Sequence, residues 1–201
     1  MGKLVISTCG LARSGKDTFC RLLIAKLSQR GIRAERFALA DSLKEKMLPF
    51  LVENFNINVF DCTTEQKELI RPLLVDFGKI KRIQTEGKYW TRLLENQISQ
   101  SQAKVAIITD VRYDEYPEDE IFWARNQMKA LVVYISRTGI VPPNKEEAEN
   151  DPRLRKAADY TVNWDGCPQD RFLDTFLDNH INTFMEWLEK SGRLTNIGME
   201  N

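Results

Sequence analysis

One histidine, four cysteines and no surplus of either charge are found in this chain, and each scarcity removes a class of function. Cys9, Cys20, Cys62 and Cys167 have no C-x-x-C spacing, so neither a zinc site nor a disulfide framework is indicated. Reduced thiols in a cytoplasm are the expectation. His180, the lone histidine, lies in a helical stretch near the C-terminus, where a structural or exposed role is expected rather than acid–base work. Lys+Arg 29 balances Asp+Glu 29, so the basic excess of a nucleic-acid binder is missing. No apolar run reaches the length that spans a bilayer, and the first residues lead straight into a strand pattern, so neither a membrane helix nor a leader is expected. Internal repeats and low-complexity linkers are also missing. A length of 201 residues suits one domain, 1–201, carrying insertions.

What the chain does carry is a glycine loop between a strand and a helix. Gly10-Leu11-Ala12-Arg13-Ser14-Gly15-Lys16-Asp17-Thr18 follows the apolar run Leu4-Val5-Ile6 and precedes a helical pattern from Phe19 to Leu27. Glycines at positions 10 and 15 let the backbone turn its N–H groups around an anion, and the new helix directs the positive end of its dipole at the same point. This is the form of a P-loop, so Gly10, Arg13, Ser14, Gly15, Lys16, Asp17 and Thr18 are the candidate ATP-binding residues. Lys16 would reach the outer phosphates. The hydroxyl comes at Thr18, one step later than in the commonest P-loops. G-K-x-T resembles nucleoside monophosphate kinases, and Thr18 becomes the Mg²⁺ candidate. Asp17, in the first helical turn, serves equally well as a helix-start carboxylate.

Strands are predicted over 3–9, 33–37, 105–109, 131–136 and 160–163, alternating with helices, so the fold class is α/β: a three-layer fold on a five-stranded parallel sheet. The wide gap 39–102 reads as several helices, an insertion large enough to overhang the strand ends and hold a second substrate. Val105-Ala106-Ile107-Ile108-Thr109-Asp110 is a buried-strand run ending in a carboxylate that could orient Mg²⁺ or act on the acceptor, and Arg112 follows with a fork suited to phosphate. In an open parallel sheet, Gly10 and Asp110 both fall at the carboxyl ends where ligands bind. The segment 137–155, with Gly139, Pro142, Pro143, Asn144 and Pro152 among charges, reads as a lid-like loop, with Arg137, Arg153 and Arg155 at its margins. Closing over the phosphates, it could exclude water and supply transition-state charge through one of those arginines; an ordinary solvated crossover is the alternative.

Taken together, the loop Gly10 to Thr18 and Asp110-Val111-Arg112-Tyr113 resemble the deoxynucleoside monophosphate kinases of phages and related viruses. Phe37-Ala38-Leu39-Ala40-Asp41-Ser42-Leu43-Lys44-Glu45, Arg71-Pro72-Leu73-Leu74-Val75-Asp76-Phe77-Gly78 with Arg82 and Trp90, and Ala158-Asp159-Tyr160-Thr161-Val162-Asn163 are similar to further segments of that family. The chain departs from the pattern at Asp114-Glu115-Tyr116-Pro117-Glu118-Asp119-Glu120, and at Asn144 before Lys145-Glu146-Glu147, where relatives carry a histidine. The resemblance implies that MgATP is the donor, that Thr18 and Asp110 serve Mg²⁺, and that Lys16, Asp110, Arg112 and Arg137 are catalytic. It makes Asp41, Lys44, Arg71, Arg82, Trp90 and Arg112 candidates for binding a (deoxy)nucleoside monophosphate, and it leaves room for a homodimer. Arg71 could equally pair with Glu68, Arg82 could belong to a solvated run with Lys79 and Lys81, and Lys44 could pair with acids on its own helix. Two other readings stay open. One is a kinase for another phosphorylated metabolite, of the phosphomevalonate or dephospho-coenzyme A type. The other is a P-loop ATPase or switch without a small acceptor.

Overall fold

The apolar runs pair as five parallel strands: β1 (Leu4–Cys9), β2 (Ala34–Phe37), β3 (Val105–Val111), β4 (Leu131–Arg137) and β5 (Tyr160–Trp164). In the computed structural model, which describes residues 2–165 and 173–194, their order is β2-β3-β1-β4-β5. Cys167 lies outside the described residues. A parallel sheet is covered on both faces, which is why its strands read as near-continuous apolar runs. Alternation along β3 divides the core: Val105 and Ile107 face one side, Ala106 and Ile108 the other. β3 runs past its expected end to Val111, so Asp110 sits inside the strand, and Cys9 of β1 is in register with Val111. That pairing sets the end of β1 beside Asp110 and Arg112.

On the first face lie α1 (Lys16–Gln29) and α7 (Leu173–Lys190), with Phe19, Leu23 and Leu27 packed against Leu177, Ile181 and Phe184. Each such fully buried side chain contributes roughly 1.5–3 kcal/mol relative to exposure. His180 is partly buried on α7, on the face opposite the helical insertion. The second face is covered by α4 (Lys88–Gln100), by a short helix α5 (Glu120–Phe122) continuing into a π-helical turn (Trp123–Gln127), and by α6 (Lys145–Ala157).

The insertion 39–102 is helical as expected. It consists of α2 (Leu39–Phe55), α3 (Thr64–Thr85) and α4. α2 and α3 share a small core of their own, Met47, Leu51, Ile57, Val59 and Ile70, which lets them project beyond the strand ends. α3 starts at a capping box in which Thr63 and Gln66 each bond the other's backbone N–H. Along its outer side Leu69, Leu73, Ile80 and Ile83 are 72%, 37%, 53% and 58% exposed.

The reading of 137–155 as loop is corrected: the chain is irregular only up to Asn144, and α6 follows. Pro152 lies inside that helix, where its missing N–H and ring normally disfavour continuation. Tertiary contacts override this. The Asn144 side chain accepts from Glu147 N at 2.8 Å, and Asn150 and Leu154 are buried against the sheet side.

Candidate functional site

The turn after β1 is dictated by what crowds it. At Gly10, with φ 129°, a Cβ would lie 2.2 Å from the Ile135 carbonyl oxygen of β4; at Gly15, with φ 95°, it would lie 2.6 Å from the Trp164 ring. Only glycine fits either place. Arg13 also takes a left-handed φ of 64°, with its side chain exposed. Trp164 donates its indole N–H to Ser14 O at 2.8 Å, so the end of β5 supports the loop from behind, and the Arg137 guanidinium lies 5.1 Å from the centre of the same ring.

Lys16 opens α1 and is only 7% exposed. Its ammonium folds back into the loop, donating to Gly10 O at 2.8 Å and Leu11 O at 2.6 Å, with Ser14 Oγ at 3.5 Å. Burial, reinforced by the positive charge of Arg112, pushes its pKa down to about 8. The Ala12 N–H donates to Glu147 Oε2 at 2.9 Å. Thr18 sits partly buried in the first turn, whereas the Asp17 side chain is 83% exposed and 3.7 Å from Arg36 Nε. The contacts of Asp17 are those of a helix-start residue.

Beside the loop, Asp110 of β3 accepts from the backbone N–H groups of Leu39 and Ala40, each at 2.8 Å, and so caps α2. Burial raises its pKa, against the pull of those two amides. Between this strand end and the insertion lies a cavity of about 280 Å³. Its walls combine apolar side chains from α2 and α3, such as Leu39, Leu43, Leu74 and Val75, with Trp90 and with the charged groups Lys44, Lys79, Arg112, Asp110 and Glu120. Trp90 is fixed there by its indole N–H on Gly78 O at 3.2 Å and by edge contacts with Phe77 and Tyr89. The Arg112 side chain is 44% exposed, and its guanidinium lies 3.6 Å from Glu147 Oε1.

Several expected acceptor residues are placed otherwise. Arg82 borders the cavity, but as a buried structural cation and not a free phosphate fork. It bonds Asp119 through both terminal nitrogens at 2.9 and 3.1 Å, Glu115 at 2.9 Å and Glu120 at 3.2 Å, and it stacks 3.6 Å from the centre of the Tyr113 ring. Arg71 is not at the cavity. It is on the outer side of α3, 3.4 Å from Glu68, in a pair whose side chains are 68% and 62% exposed. Asp41 does not line this cavity either; it bridges Arg36 and Lys44 at 2.6 and 3.0 Å. Of the arginines at the margins of 137–155, Arg153 donates to Asp114 O at 2.5 Å and Arg155 to the Tyr134 hydroxyl at 3.2 Å.

Sequence reasoning missed Glu120 and Glu147. The carboxylate of Glu120 accepts from Arg112 N at 2.8 Å and Tyr113 N at 3.2 Å, and burial lifts its pKa to about 8 despite Arg82. The signals were the acidic run 114–120 for Glu120 and the acidic pair after Asn144-Lys145 for Glu147; nothing in either distinguishes a buried acid from a solvated one.

Among the described residues no group of three or more His, Cys, Asp or Glu is arranged to hold a metal ion. The hydroxyl of Thr18 and the carboxylate of Asp110 are hard oxygen donors, a set that suits Mg²⁺ shared with phosphates and water rather than a cage of protein ligands. Cys9, Cys20 and Cys62 are free thiols, and burial pushes Cys9 and Cys20 up to about 12, which makes them inert. Among the described residues no helix is long and apolar enough to cross a membrane.

No protein-family model matches the sequence, and no curated protein matches it. In overall shape the chain is similar to shikimate kinase from Acinetobacter baumannii in complex with shikimate, at TM-score 0.46 and 15% identity over 94% of each chain. It is similar to TT1252 from Thermus thermophilus, at 0.44 and 14%, over 92% of this chain and 98% of that one. A third likeness is shikimate kinase from Aquifex aeolicus, at 0.39 and 18%, over 90% of this chain and 98% of that one.

Proposed function

We propose that the chain is a P-loop kinase that moves the γ-phosphoryl group of ATP onto a (deoxy)nucleoside monophosphate, giving ADP and the diphosphate. The observation that carries this reading is adjacency. The anion cradle after β1 and the half-apolar cavity under the insertion share one boundary, formed by Asp110, Arg112 and the first turn of α6. A nucleoside monophosphate has matching halves, a flat base for the apolar walls and a dianion for the cations at the boundary.

In this reading the loop amides and Lys16 hold the donor phosphates, with Lys16 exchanging its carbonyl partners for phosphate oxygens. Mg²⁺, held through Thr18 and Asp110, would neutralise charge on the donor phosphates. Arg112, with Lys44 and Lys79 behind it, draws in the acceptor phosphate and offsets the repulsion between two anions. An acceptor phosphate oxygen then forms the new bond to the γ-phosphorus as the bond to the ADP oxygen breaks. The acceptor is already a dianion, so no general base is required, and positioning supplies most of the acceleration. Arg137, held against the Trp164 ring behind the loop, is the candidate for transition-state charge.

Turnover of MgATP with each dNMP and NMP in turn, with product identity checked, tests the proposal. Transfer to no nucleotide but to another phosphorylated metabolite would give the second kinase reading, and acceptor-independent ATP hydrolysis would give the ATPase. The cavity of about 280 Å³ next to the cradle favours a small acceptor over the latter. A cytoplasmic setting with free thiols belongs to the same proposal. So does a homodimer covering Leu69, Leu73, Ile80 and Ile83 on α3, which sedimentation would detect.

A further inference from the structure

The first turn of α6 puts two consecutive carboxylates where the proposed reaction brings two anions together. Glu146 lines the cavity, and Glu147 reaches into the cradle. Glu147 makes the contacts a phosphate would make. Oε2 accepts from the Ala12 N–H of the loop at 2.9 Å, Oε1 lies 3.6 Å from the Arg112 guanidinium, and the side chain is 15% exposed. Its charge also supports that of Lys16 at the bottom of the cradle. Nor is the carboxylate there by chance of a loose side chain. Its own N–H is fixed by Asn144, and one helical turn further on Asn150 bonds Glu146 O at 3.0 Å, Asp114 N at 3.0 Å and Glu115 at 3.3 Å.

We propose that Glu147 is a built-in anion that holds α6 closed on the donor cradle, so that nucleotide phosphate binds by displacing it. The inference rests on the P-loop reading of the cradle. A carboxylate and a donor phosphate compete for the Ala12 amide, and two like charges beside the buried Lys16 cannot share it. The donor affinity is therefore reduced by the fraction of molecules in which Glu147 is out. For a gate closed about nine-tenths of the time, that reduction is about tenfold.

The test is calorimetric titration of ATP and of inorganic triphosphate, both with the metal chelated, into the full chain and its variants. Glu147→Gln keeps the shape and removes the charge, and it should tighten both ligands about tenfold relative to the parent. Glu147→Asp, one methylene shorter, should tighten them in the same direction and stands in for the glutamine variant if that one does not fold. Glu149→Gln, on the same helix but 62% exposed and paired with Lys145, should leave both affinities unchanged. Equal or weaker binding in folded Glu147 variants overturns the gate. Failure of the P-loop reading looks different: the parent chain would then bind neither ligand, or would bind both as well after Lys16→Ala.

Discussion

Replacing Arg82 by alanine separates two accounts of the same residue. A guanidinium that grips the acceptor phosphate would cost substrate affinity when removed and little else. The observed one is 8% exposed and neutralises Asp119 and Glu120, themselves 0% and 5% exposed, along with the more accessible Glu115. Its removal leaves the Asp119 carboxylate, and Glu120 wherever it is ionised, in a dry site without a counter-ion, an error that costs about 3–5 kcal/mol. At roughly 2–4 °C per kcal/mol for a chain of this size, the melting temperature should fall by about 6–20 °C. Lysine restores a point charge but neither the double bond to Asp119 nor the stack on Tyr113, and should recover only part of the loss.

The pH dependence adds a second signature. Glu120 has its pKa raised from 4.5 to about 8, so the folded state keeps a proton that the unfolded chain releases. Its contribution is intact below pH 4.5 and is lost as pH rises through about 8. Without Arg82 the attraction that moderates this shift is gone, so the deficit of the variant should be larger at pH 8 than at pH 5.5, as read by thermal melts at the two pH values. A variant that melts with the parent at both, yet shows an acceptor KM raised tenfold or more, would return Arg82 to the substrate and refute the structural account.

Lys16→Ala should fold normally and lose phosphoryl transfer by about a hundredfold or more, since one preorganised charge donor is removed from the reacting phosphates; near-parental turnover would dismiss the cradle as a catalytic site. Because the resting pKa of Lys16 is about 8 and a bound polyanion favours its charged form, ATP affinity measured by titration should be highest below pH 8 and weaken above it. A flat profile from pH 7 to 9.5 contradicts that. Asp110→Asn puts an amide N–H against one of the two N–H groups it caps, so it should lower stability by about 1–2 kcal/mol as well as depress Mg²⁺-dependent turnover, while metal-free ATP binding persists. Arg71→Ala should change neither acceptor KM nor melting temperature measurably, because an exposed pair is worth about 0–1 kcal/mol at most; a raised acceptor KM would mean that α3 rotates toward substrate.

The sheet was readable because strands buried on both faces are predominantly apolar, even with Ser7, Thr8 and Thr109 buried among them. β1, β3 and β4 stand out as apolar runs, and the helices of 39–102 follow from apolar spacing. The cradle was readable because its positive-φ turns leave a local signature, Gly10 and Gly15 at fixed spacing between a strand and a helix, even though the groups that crowd them, Ile135 and Trp164, lie far along the chain. α6 was not, because Pro152 and a dense set of charges carry strong local signals, while the contacts that overrule them, Asn150 to the segment after β3 and Leu154 to the sheet side, are long-range. Arg82 fails for the same reason in reverse. As one of the cations at 79, 81 and 82 it looks solvated or substrate-facing, and only the acids at 115, 119 and 120, far along the chain, decide that it is buried.

Those acids also tie α3 to α6. Glu115 accepts from Arg82 of α3 through one oxygen and from Asn150 of α6 through the other, at 2.9 and 3.3 Å. Glu120 holds the backbone N–H of Arg112, whose guanidinium in turn faces Glu147. The buried charged groups in this chain of contacts have partners within the protein: Lys16 the loop carbonyls, Glu147 the Ala12 N–H and Arg112, Arg82 three acids. A poorly hydrated site needs that, since unpaired polar groups are costly there. Substrates must therefore offer better partners than the ones they replace. Two replaceable partners, the carbonyls on Lys16 and the carboxylate on Ala12, are on the donor side; Glu147 meets the acceptor side only through the longer 3.6 Å approach to Arg112, and the Arg82 cluster stays fixed. An acceptor can then meet a finished wall while the donor has to open its own site, which predicts that donor affinity, more than acceptor affinity, responds to substitutions in the first turn of α6.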